Sequence, residues 1–188
     1  MKRFATLAAL FLCVLSLAQE APKRYEIKSG IAKSVTDMMG QKIEATAYFD
    51  NYGALETSKT KMSVPGVGEM EIATITKDGK TFVVNYSQKN VQETPAQESI
   101  NYLALTDEVI GQYKIKEIGK ETLGDKECTK YSQEVSQMGQ KAAITTWVWK
   151  GFVLKSVTAV AGVEIVSEVV EFTPDAYILP QTFEVPTF

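Results

Sequence analysis

Lys42-Ile43-Glu44-Ala45-Thr46-Ala47-Tyr48-Phe49 alternates apolar and polar side chains, and Asp50-Asn51-Tyr52-Gly53 closes the run with turn formers. Successive side chains of a strand point to opposite faces, so the spacing predicts a half-buried strand with Ile43, Ala45, Ala47 and Phe49 on one side. Upstream, Tyr25, Ile27, Ser29, Ile31 and Val35 form one predicted face and Glu26, Lys28, Ala32 and Ser34 the other, before a turn at Asp37-Met38-Met39-Gly40. Downstream, further strands are predicted over 54–63, 69–77 and 81–87, separated by Pro65-Gly66 and Asp78-Gly79.

The stretch 88–113 breaks the alternation with Pro95 and a polar cluster, then runs into Ile100-Asn101-Tyr102-Leu103-Ala104-Leu105. A short helix is expected after it. Thr106 can cap the helix, Asp107 and Glu108 suit the positive end of its dipole, and Val109, Ile110 and Tyr113 give it an apolar side. Alternation returns over 115–122, 126–136, 141–149, 152–160 and 163–172, with turns at Gly124-Asp125, Gly139, Gly151 and Gly162. About ten strands joined by hairpin-length connections predict an antiparallel meander, since parallel strands would need crossover helices. Met39-Gly40-Gln41-Lys42 recurs as Met138-Gly139-Gln140-Lys141 with similar strands after it, an echo consistent with one three-strand unit used twice.

The beginning of the chain predicts export. Lys2 and Arg3 precede an apolar stretch from Phe4 to Leu17, and Ser16-Leu17-Ala18 fits a small-x-small cleavage site. Residues 1–18 are therefore expected to be a signal peptide, leaving 19–188 as one β-rich domain in a periplasmic or otherwise exported compartment. Phe11 and Leu12 are too large to precede a lipidated Cys13. With the leader gone Cys128 is the only thiol, so no internal disulfide can form.

The whole chain carries 20 basic and 23 acidic residues, and losing Lys2 and Arg3 widens the acidic excess. Nucleic acid is not an expected partner, and no later segment reaches transmembrane length. The sequence has no histidine, which removes the commonest general base and the commonest metal ligand. No catalytic residue, metal site or cofactor is assigned. Glu164, Glu168 and Glu171 fit a solvated strand face, and Gly66-Val67-Gly68 lacks the context of a dinucleotide loop. Cys128 is expected to be buried and inert.

Trp147 and Trp149 share one face of their strand while Ile144 and Val148 take the other, so both faces need cover. One reading is a core on one side and a packed helix on the other; the second is a concave sheet with an apolar ligand against the tryptophans, closed over by Tyr102, Leu103 and Leu105. Met38, Met39 and Met138 stand at predicted hairpin tips, where they could touch lipid or a partner protein.

Tyr48-Phe49-Asp50-Asn51-Tyr52-Gly53, the segment from Gly124 to Tyr131, Trp147-Val148-Trp149-Lys150-Gly151 and the terminal Leu179-Pro180 to Pro186 together resemble exported Bacteroidetes proteins of the DUF4412 group. More distantly the chain resembles the periplasmic lipoprotein-carrier (LolA-like) superfamily. The resemblance implies a mainly β fold, a single antiparallel sheet curved into a half-barrel with one or two short helices or a lid segment, 88–113, on its concave side. It implies a non-catalytic protein that binds a lipid or an acylated protein there. A ligand-free structural or interaction protein of the bacterial envelope is the alternative expectation.

Overall fold

Met39-Gly40, Asp78-Gly79, Lys150-Gly151 and Ala161-Gly162 each place two consecutive residues at positive φ. That is the backbone of the tight two-residue hairpin whose twist matches its strands. The computed structural model describes residues 23–64, 66, 68–95, 99–137 and 140–188. The predicted signal peptide and Met138 lie outside the described residues. The strands are β1 (Gly30–Met38), β2 (Gln41–Asp50), β3 (Leu55–Val64), β4 (Gly68–Lys77), β5 (Lys80–Asn85) and β6 (Asn90–Pro95), then β7 (Lys116–Leu123), β8 (Lys126–Gln137), β9 (Gln140–Trp149), β10 (Phe152–Val160) and β11 (Val163–Pro174). One helix, α1 (Asp107–Tyr113), begins where Thr106 accepts from the Val109 amide, as its sequence predicts.

All eleven strands form one open antiparallel sheet in the order β6-β5-β4-β3-β2-β1-β11-β10-β9-β8-β7, the half-barrel architecture that the resemblance implies. Two meanders, β1 to β6 and β7 to β11, are zipped together by β1 and β11. Consequently β6 and β7 stand at opposite edges, about 48 Å apart if the sheet were flat. The connection between them must cross one face.

Two expectations are corrected. β6 falls inside the stretch read as a lid; an edge strand buries little, so Asn90 to Pro95 needs no clear alternation, and Pro95 is tolerated there. The first strand begins at Gly30 rather than Tyr25. Tyr25, Ile27 and Ser29 are buried all the same, as an irregular strap across the end of the sheet.

Cross-strand partners share a face, so the register defines two surfaces. On the inner one, Tyr131, Thr146, Ser156, Ser167, Thr36 and Ile43 follow one another from β8 to β2. Ala32, Ala47, Ser58 and Thr74 make a parallel row. The outer face carries Lys33 with Glu171 at 2.8 Å and Lys155 with Glu168 at 3.5 Å. Bulges at Lys33/Ser34, Val153/Lys155 and Glu117/Gly119 interrupt the alternation.

Three apolar clusters stabilise the sheet. Tyr25, Ile27 and Phe49 gather Trp149, Phe152 and Phe172 at the strap end. Here Gly30 is required, because a Cβ on it would meet the Phe49 ring at 2.6 Å. Ala73, Ile75 and Val84 on the outer face lie under the C-terminal tail, with Val185 against them and Thr57 Oγ1 donating to the Thr182 carbonyl. Cys128 packs with Trp147 and Leu154. Its thiol is fully buried, and burial pushes its pKa up. Cys128→Ser should therefore cost about 1–3 kcal/mol, measured by urea unfolding, through desolvation of the hydroxyl. Rapid labelling of the native thiol would contradict this packing.

Candidate functional site

The inner face of the sheet is a trough built from small side chains. Ala32, Ser34, Ala47, Ser156 and Ser167 line a recess of about 130 Å3 together with Phe152 and Lys155, whose ammonium group is turned to Glu168, and Tyr25, Ala47, Phe49, Glu56, Ser58 and Phe152 line a second of about 180 Å3. The two share Ala47 and Phe152. Apart from buried Ala32 these Ala and Ser residues are half-exposed, so the floor is not filled by a core above it.

Aromatic rings stop the trough at the strap end. Phe49 stacks on Phe152 at 5.4 Å and meets Tyr25 edge-on at 4.8 Å, and Phe152 lies 5.2 Å from Phe172. The strap is pinned by charge. Tyr25 donates its hydroxyl to Glu56 Oε1 at 2.5 Å, and Arg24 reaches Glu56 Oε2 at 2.8 Å. Burial, reinforced by the Glu56 carboxylate, pushes the Tyr25 phenol far above its ordinary pKa, so it stays a donor. Gly151, at φ +82°, lets the β9–β10 turn close on the strap, because a Cβ there would run into the Arg24 carbonyl.

The connection 99–115 approaches the same face. Asn101 donates to the Lys23 carbonyl at 2.9 Å, and the Tyr102 and Thr146 hydroxyls are 3.2 Å apart. Tyr102 also lies 5.1 Å from the Tyr131 ring. Burial raises the Tyr102 phenol, while hydrogen bonds with Thr146 and Gln133 pull the other way. Leu103 lies against Gly151 but remains 39% exposed, and Leu105 is half-buried.

Trp147 is elsewhere. It pairs with Lys130 and Lys155, whose ammonium groups sit 4.8 and 5.5 Å from its ring, on the outer face. Since β9 alternates, Thr146 carries Tyr102 on one side and Trp147 points to the other. Tyr102 does not close over Trp147. Trp149 reaches the strap-end cluster instead, edge-on to Phe172 at 5.7 Å. Met38 and Met39 stand at a hairpin tip, 38% and 82% exposed.

Sequence reasoning misses Ala32, Ser34, Ser58, Ser156 and Ser167 as site residues. Their signal is the alternating Ala and Ser, but the sequence pattern puts Ala32 and Ser34 on the polar side of their strand. Only cross-strand register joins these residues into one surface. Among the described residues no group of three His, Cys, Asp or Glu is placed to hold a metal ion, and no helix is long and apolar enough to cross a membrane.

No family profile matches the chain, and no curated protein does. Solved structures share its fold. An uncharacterized conserved protein from Thermus thermophilus superposes with TM-score 0.58 at 15% identity, covering 87% of this chain and 90% of that one. The MucA/MucB complex of Pseudomonas aeruginosa contains a chain matching at TM-score 0.56 and 10% identity, over 87% of this chain but 57% of that one. LprF from Mycobacterium bovis, at 10% identity and 84% and 90% coverage, reaches TM-score 0.43, too loose to carry an argument.

Proposed function

We propose that the trough holds a long apolar chain, such as a lipid acyl group or the acyl group of an acylated protein, and that the protein is a non-catalytic binder of the cell envelope. It is exported by cleavage near Ala18, with 19–188 as its single domain, and belongs with the DUF4412 group and, more distantly, the LolA-like carriers. One observation carries the reading: among the described residues of β1 to β4 and β9 to β11, the inner face bears a single charged side chain, Glu56, which Arg24 neutralises. A solvated sheet face would carry lysine and glutamate throughout, as the outer face does. Small uncharged side chains leave room for an alkyl chain and put no bare charge against it that would have to be desolvated.

Ala47→Trp tests it, because Ala47 lines both recesses. A fluorescent fatty-acid probe should bind the native protein and bind the variant about tenfold or more weakly, since the indole takes the alkyl chain's place. Native mass spectrometry checks the same loss, and the melting temperature controls for folding. A native protein with no affinity for the probe or for phospholipid would remove this reading. Docking of an envelope protein would then stand in its place, a use that the MucA/MucB complex illustrates on the same fold.

A further inference from the structure

We propose that Gln133, Thr146 and Tyr102 form a polar subsite at one side of the trough, which takes the neutral, hydroxyl-bearing end of an acyl ligand such as a glycerol monoester. The inference rests on the trough reading and adds to it which polar end the acyl chain carries.

Gln133 is only 7% exposed, and its carboxamide oxygen is buried and meets no hydrogen-bond donor among the described residues. Leaving a buried acceptor without a donor is costly, and native folds contain few such atoms. Beside it the Tyr102 phenol meets the Thr146 hydroxyl at 3.2 Å and also bonds to Gln133. Thr146 is itself buried. Tyr102 is thus an apolar ring with one hydroxyl, laid on the inner face by the connection 99–115 and hydrogen-bonded there. It holds the place of a ligand's polar end. It answers Thr146 and the nitrogen end of the Gln133 amide, and leaves the amide oxygen unmet. A diol brings one more donor than a phenol, and that donor matches the Gln133 oxygen.

Register ties this subsite to the trough. Thr146 pairs with Ser156, which lines the recess of about 130 Å3, and Ser156 pairs with Ser167. From Gln133 a second row runs through Ile144, Thr158 and Ile165 to Met38. Both rows are uncharged, so an acyl chain lying along them ends at Thr146 and Gln133 without crossing a charge. Lys130 and Glu134, on the same strand as Gln133, alternate to the outer face and pair with Glu121 and Lys114. Among the described residues these rows offer no cation to a carboxylate or phosphate, and the Gln133 oxygen only accepts. The polar end that fits is neutral and donates.

Competition against a fluorescent fatty-acid probe tests it, with monolaurin, methyl laurate and laurate as competitors that share one chain. Monolaurin should displace the probe about tenfold or more better than either of the others, because only it brings donors without a charge. Gln133→Met, which keeps the side chain's length and loses the amide, should bring monolaurin within about twofold of methyl laurate. Thr146→Val should cut the preference for monolaurin by about threefold or more. Circular dichroism confirms that each variant is folded, and Thr146→Val reads the subsite even where Gln133→Met does not fold. Equal displacement by monolaurin and methyl laurate, stronger displacement by laurate, or a preference that either folded variant keeps in full would overturn the subsite alone. A native protein that binds no probe would remove the trough reading and the subsite with it.

Discussion

Phe49→Ala is expected to destabilise the fold by about 3–5 kcal/mol, the usual range for emptying the site of a fully buried aromatic ring. Phe49 is 1% exposed and contacts the rings of Tyr25, Phe152 and Phe172. Its ring lies over Gly30, so the cavity would open where β1 and β2 begin to pair. Urea unfolding should show a lower midpoint with little change in slope. The strap should loosen first, because Tyr25 keeps its bond to Glu56 but loses its apolar support. A loss below about 1 kcal/mol would mean that the strap-end cluster is not part of the cooperative core.

Phe183→Ala should cost about 3 kcal/mol by the same mechanism, at the lower end because the tail can shift to fill part of the space. Phe183 is 5% exposed in the turn Pro180–Phe183, which reaches β3 and β4. Its loss should also free the tail, exposing Thr57, Ala73, Ile75 and Val84, all of them at 1% exposure or less. Limited proteolysis within 178–188 and binding of a hydrophobic dye should then rise in the variant before global unfolding. Unchanged proteolysis, together with an unchanged midpoint, would show that the tail adds nothing to the stability of the outer face.

These two phenylalanines differ in how far the sequence announces them. Phe49 sits in the clearest alternating run of the chain, and its burial follows from the period alone. Phe183 follows Leu179-Pro180 in a tail with no period, so nothing local states that it covers a sheet. The same division holds for the site. Tyr102 stands out in the sequence because its segment breaks alternation, and it does lie against the inner face. Trp147 is expected on the same side only through a hypothesis about concavity, which side-chain size alone cannot settle.

The sequence by itself determined most of the strands and hairpins, though neither the edge strand β6 nor the true start of β1, together with the helix cap at Thr106 and the lack of any histidine for chemistry, because each depends on residues only a few positions apart. It could not determine which strand closes on which across the join of β1 and β11, since Gly30 and Pro174 are paired from opposite ends of the chain. That pairing fuses two meanders into one sheet. It sends the connection 99–115 across the inner face and aligns Ala32, Ala47, Ser156 and Ser167 into an uncharged floor. A strand's period states that it has two faces; only the long-range register and the bulges decide which of them becomes the inside.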